Sequence, residues 1–272
     1  TFDSLTVTGG NSAANGGCFF LEGNGNAVNI SNTVIDTCVS TNTGVGNGGG
    51  GIASEAILNI GGTLIQNNTA LGMLANGGGI LNLAGGTVDI SVSTLFNNQA
   101  ARAGGGIEMA GGNVGIVDSN LSNNTANING GGVHVTTGDL VMNGGLVSNN
   151  VALQEGGGLW NNAGATMTLI NTSATLTISD NDAQGNAGPG TDLQGGGGIF
   201  NNGGDMNIIE VDPNDAFGIL ITGNTASGTG GSAAGSGGGI MTIGGTVQIN
   251  NVRIDGNEAV RAGGGIEIVD GT

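Results

Sequence analysis

The chain has 272 residues, 61 of them glycine and two proline, and sets 20 acidic side chains against three basic ones for a net charge of −17. With Arg102, Arg253 and Arg261 as the only cations, that balance argues against nucleic acid, anionic membrane and acidic polymers as partners. No apolar run approaches the roughly 18 residues of a spanning helix, so no membrane insertion is expected.

The repeat starts at the N-terminus and runs to the end. Three small residues, nearly always glycine, precede an apolar residue at Phe19, Ile52, Ile80, Ile107, Val133, Leu159, Ile199, Ile240 and Ile266. Ile107, Val133 and Leu159 stand 26 residues apart, as do Ile240 and Ile266, and the other spacings are longer. A second motif follows seven of the nine tetrads, an aliphatic three residues before Asn and Ala two residues after it, as in Leu121, Asn124 and Ala126. Between the two motifs lie apolar pairs two residues apart, such as Val88 and Ile90 or Val114 and Ile116. That period of two is a strand signal.

A unit this short cannot bury its own apolar face, so each copy must stack on the next. The reading is all-β: a right-handed parallel β-helix of about nine coils of about 26 residues, with three short strands per coil. The repeat has no compositional break, which makes residues 1–272 one domain with insertions near 41–48, 184–195, 205–217 and 227–236. Asn68, Asn98, Asn124, Asn150, Asn181, Asn224 and Asn257 should form a structural ladder at one corner, their amides bonding one another and their backbone tolerating left-handed geometry.

The two cysteines sit in the first coil. Cys18 takes the third tetrad position and Cys38 the Asn position, so a disulfide stapling that coil, and with it an oxidising compartment, is one reading. Two small buried thiols are the other.

Tetrads such as Gly104-Gly105-Gly106-Ile107, alternating with segments such as Leu121-Ser122-Asn123-Asn124, resemble the GGA[ILV] and FxxN repeats of the polymorphic outer-membrane protein family. The resemblance spans the whole chain and implies a secreted autotransporter passenger, a β-helix acting in adhesion at the cell surface. The chain departs from that family in using Gly for the Ala and Leu, Ile or Val for the Phe.

One outward row follows the tetrads: Leu81, Glu108, His134, Trp160, Phe200 and Met241. At about 4.8 Å per coil Trp160 and Phe200 should stack, and the row reads as an exposed contact stripe for a surface ligand unless the insertions cover it. Glu210, Asp212, Asn214 and Asp215 offer oxygens for a Ca²⁺ ion; no other cofactor is suggested. Polysaccharide-active enzymes need paired carboxylates, yet Asp89 is followed one coil on by Gly115 and then Val141, so no enzyme is expected. The chain starts and stops in mid-coil with complementary halves, which predicts either an excerpt of a longer β-helix or head-to-tail self-stacking into an extracellular fibre. The scarcity of Lys and Arg leaves trypsin-like proteases few sites, in keeping with an extracellular location.

Overall fold

A computed structural model describes residues 1–23, 25–172, 174–185, 194–211, 218–229 and 235–270. The described residues are all-β and every named strand pairing is parallel. Two of the three sheets hold nine strands each, one per coil, and the third holds 16. The stack is therefore a parallel β-solenoid.

The coil that begins at Ile80 shows the plan. Its first strand is Ile80–Asn82, its second Thr87–Ser91, its third Thr94–Phe96, and a two-residue fourth strand, Gln99–Ala100, occupies what the sequence suggests is only a corner. First strands make one nine-stranded sheet, fourth strands the other, and second and third strands share the large sheet. Like stacks on like: Ile80 pairs with Ile52 and Ile107, Val88 with Leu58 and Val114, and Leu95 with Ile65 and Leu121. These aliphatics form one continuous core that runs the length of the solenoid. A one-residue slip would turn every one of them to the outside, so the repeat itself fixes the register.

Two glycines of each tetrad are required for different reasons. In Gly104-Gly105-Gly106 the first has φ +66°, a left-handed turn that costs an L side chain about 1–2 kcal/mol. The second has ordinary φ, but a Cβ there would lie 2.4 Å from the carbonyl oxygen of Gly131 in the next coil.

The left-handed corner after the third strand differs from the expectation. The ladder Asn itself is not the residue with positive φ; its predecessor is, at Asn67 (55°), Asn97 (53°), Asn123 (56°), Asn149 (54°) and Asp180 (55°), with Gly223 and Gly256 in the same place. The Asn-Asn dipeptide thus divides two tasks. The first residue turns the chain, because Asn tolerates that conformation, and the second bonds the stack.

The segment 205–217 is not all insertion. Asp205–Glu210 is the second strand of its coil, in register with Thr166–Asn171, because Met206 and Ile208 alternate inward like any other second strand. Residues 186–193, 212–217 and 230–234, within the insertions at 184–195, 205–217 and 227–236, lie outside the described residues.

Candidate functional site

The Asn ladder forms as read. Each amide nitrogen donates to the amide oxygen one coil on, from Asn68 to Asn98 (3.0 Å), Asn98 to Asn124 (3.0 Å), Asn124 to Asn150 (3.0 Å), Asn150 to Asn181 (2.9 Å), Asn181 to Asn224 (2.9 Å) and Asn224 to Asn257 (2.9 Å). The same nitrogen gives its other proton to the aliphatic carbonyl of the preceding coil, as Asn124 does to Leu95 (3.0 Å). Each amide oxygen also accepts the backbone N–H of the Asn before it, as Asn124 does from Asn98 (3.0 Å). Asn68 through Asn224 are buried, so this complete satisfaction is what permits six polar side chains in the interior.

Cys18 and Cys38 are disulfide-bonded, with Cα atoms 5.5 Å apart. In other coils the third tetrad glycine packs on the ladder Asn, a Cβ at Gly106 lying 3.3 Å from Asn124 Cγ. The disulfide replaces that contact in the first coil, and the backbone N–H of Cys38 still donates to Asn68 Oδ1 at 2.9 Å. The ladder therefore ends on a covalent staple.

The outward row is not an exposed stripe. Leu81, Glu108, His134, Trp160, Phe200 and Met241 are all buried, and Trp160 retains only 5% exposure. The left-handed first glycine of each tetrad folds the entering segment over the strand. A Cβ on that glycine would lie 2.6–2.9 Å from the Cβ of the outward residue at His134, Trp160, Phe200 and Met241. Buried Ala75 and Ala103 belong to these covering segments. Trp160, Phe200 and Met241 make a second small core, and Trp160 and Phe200 stack with planes 2° apart.

The polar members of the row satisfy one another. His134 Nδ1 lies 2.8 Å from Glu108 Oε2, the Thr136 hydroxyl donates to Glu108 Oε1 (2.7 Å), the His134 ring stacks on Trp160 (4.2 Å between centroids), and the Trp160 indole N–H donates to Glu155 (3.0 Å). His134 retains 4% exposure and Glu108 1%. The Trp160–Glu155 bond ties the row to the segment entering the tetrad, and Glu108 and His134 are closed to solvent.

Of the proposed Ca²⁺ ligands, Glu210 closes its strand with 8% exposure, and Asp212, Asn214 and Asp215 lie outside the described residues. Among the described residues no group of three or more His, Cys, Asp or Glu side chains is placed to hold a metal ion. On the outer face of the second strands, Asp89 is in register with Gly115 and that in turn with Val141, so no carboxylate pair stacks there. A shallow groove of about 500 Å³ does lie on this face, lined by residues including Asn29, Asn59, Asp89, Ser91, Gly115 and Val117. The sequence does not single it out, although Asp89 and Gly115 both line it. Compared with known protein families, with curated proteins and with solved structures, the chain gives no match.

Proposed function

We propose that the chain is an extracellular structural protein, a stiff rod of stacked coils that assembles into a surface fibre by adding coil upon coil. The observation that carries this reading is the sameness of the coil-to-coil interface. Four parallel pairings and one Asn–Asn bond recur between successive coils, from the coil of Ile52 to that of Ile240, so a coil's face is complementary to a copy of itself. The disulfide supports an oxidising location outside the cytosol. An enzymatic role finds no support in the sealed Glu108–His134 cluster.

Negative-stain electron microscopy of the isolated chain across a concentration series tests the proposal. Filaments with an axial repeat of about 43 Å, nine coils at roughly 4.8 Å, are expected. Short single rods at every concentration overturn self-assembly.

The runner-up is an adhesin passenger, as the family resemblance implies. One observation favours it: the loops near residues 41–48 and 71–76 expose Val45 (74%), Leu71 (61%) and Met73 (82%), apolar side chains offered to solvent in consecutive coils. Retention of rods on a receptor-bearing surface, lost when Leu71 and Met73 become Ser, would move the assignment to this reading.

A further inference from the structure

Five asparagines stand in the pattern Asn-x-Ser/Thr: Asn29, Asn67, Asn120, Asn123 and Asn171. That pattern is the acceptor for an N-linked glycan on a secreted chain whose asparagine ends on the surface. The fold does not impose it. The left-handed corner after the third strands holds Thr37, Asn97, Asn149, Asp180, Gly223 or Gly256 in other coils, and the residue after the ladder position is Val39, Gln99, Val151, Asp182 or Glu258 in most of them. The turn and the ladder therefore leave the third residue of this corner free. Asn-Asn-Thr arises there only at Asn67 and Asn123.

The structure separates the five. Asn171 is buried at 1% exposure, so a sugar on it is incompatible with the packed strand. Asn67 is engaged on both sides: its Nδ2 donates to Asp36 Oδ1 (2.8 Å) and its Oδ1 accepts from Asn97 Nδ2 (2.7 Å). Asn29 and Asn120 lie within sheet strands, Asn29 bonded to Asn59 (2.8 Å) and Asn120 in register between Thr94 and Leu146, so a sugar on either would press on the strands beside it. Asn123 differs on each count. It is exposed, its side chain makes no hydrogen bond to a described residue, and at φ 56° it forms the corner between Asn113–Ser122 and Thr125–Ala126. One coil to each side the corner carries Asn97 and Asn149, short and exposed, which leaves space for a bulky group.

The geometry points to Asn123 as an N-glycosylation site, the acceptor of a sugar delivered by a transferase from a glycosyl phosphate donor. In the transfer Asn123 Nδ2 bonds to the anomeric carbon of the sugar. The bond from that carbon to the donor phosphate breaks, its electron pair leaving on the phosphate, and the amide gives one proton to a base of the transferase. Asn124, the middle residue of the pattern, keeps its bonds to Leu95 and Asn150 inside the stack. The inference shares with the proposed function only the oxidising secretory route that the disulfide supports. A glycan here stands on the side of the rod and leaves coil-to-coil stacking open.

The test is the intact mass of the full chain secreted by yeast, before and after peptide N-glycosidase F, with free thiols counted on the same sample. One glycan, removed by the glycosidase and mapped to Asn123, is expected. Two variants that the fold already accommodates should abolish it: Thr125→Val, because Val39 and Val151 occupy that place in other coils, and Asn123→Gly, because Gly223 and Gly256 occupy the same corner. Asn29→Gln and Asn67→Gln should leave it intact. Val151→Thr, which gives exposed Asn149 the same pattern, should add a second glycan. An unmodified chain with its disulfide formed, or a glycan that survives Thr125→Val, overturns the site. An unmodified chain with both thiols free overturns the site and the oxidising location together. Far-ultraviolet circular dichroism confirms that the variants remain folded.

Discussion

Asn124→Ala measures what the ladder contributes in mid-stack. The substitution deletes four hydrogen bonds: Asn98 N and Nδ2 to Asn124 Oδ1, and Asn124 Nδ2 to Leu95 O and Asn150 Oδ1, each 3.0 Å long. Asn150 Oδ1 keeps the backbone N–H of residue 124, so the main loss falls on two donors of Asn98, which is 1% exposed and has no water to replace the acceptor. At about 1–3 kcal/mol for each orphaned buried group, the cost is about 2–6 kcal/mol. Asn257→Ala is the internal control. It removes the same kind of bonds from Asn224, but residue 257 is half-buried and solvent can substitute, which lowers the cost to about 1 kcal/mol. Urea unfolding followed by circular dichroism, with Trp160 fluorescence as a local probe, gives both numbers; because a repeat array need not unfold in one step, the two probes are fitted separately. Equal losses in the two variants, or a loss below about 1 kcal/mol for Asn124→Ala, would refute the claim that satisfaction of buried amides holds the coils together.

Gly105→Ala should prevent folding, since its Cβ would meet backbone atoms on two sides, Gly131 O at 2.4 Å and Thr125 N at 2.6 Å, whereas Gly164→Ala, with nothing within 4 Å but φ +81°, should cost only about 1–2 kcal/mol; soluble yield and melting temperature separate the two. Reducing the Cys18–Cys38 bond, which closes a separation of 20 residues, should destabilise the first coil by about 3 kcal/mol on the chain-entropy scale, seen as faster amide exchange confined to the N-terminal coils; Cys18→Gly with Cys38→Asn should recover much of that loss by restoring the Gly–Asn contact of the other coils. His134→Ala leaves Glu108 Oε2 buried without a neighbour and should cost about 1–3 kcal/mol, with Trp160 fluorescence shifting as its stacked neighbour is lost. Hydrogen bonds from Ser31, Asn32 and Ser4 hold the Asp3 carboxyl below its ordinary value, so its contribution is present above that ordinary value and is lost as pH falls through the lowered one; Ser31→Ala should raise the Asp3 midpoint in a ¹³C carboxyl titration, and no rise would remove the first-named cause.

The parts of this protein that were legible in its sequence are those where one physical demand recurs unmixed. Ile80, Val88 and Leu95 face only the core, so their spacing reads directly as strand, corner and strand. Asn124 must bond its own kind one coil away, so it recurs at the repeat period. Cys18 and Cys38 were legible as a pair because both depart from the motif in the same coil. The outward row was not legible, because outward on a strand means exposed only if nothing crosses over it. What crosses over is decided by the left-handed first glycine of each tetrad, and the letter G does not distinguish a glycine needed for its φ, as at Gly104, from one needed for its lack of Cβ, as at Gly105. The same ambiguity hid the Asn-Asn corner, where Asn123 turns the chain and Asn124 bonds it while both are the same residue type. Glu108 and His134, which look like surface residues in isolation, tolerate burial because each supplies what the other lacks, with Thr136 and Trp160 completing the shell. Repetition makes the backbone plan readable and conceals the division of labour within it; the informative positions are therefore those where the repeat breaks, such as Cys18 and Cys38, where a disulfide takes the place of the Gly–Asn contact of the other coils.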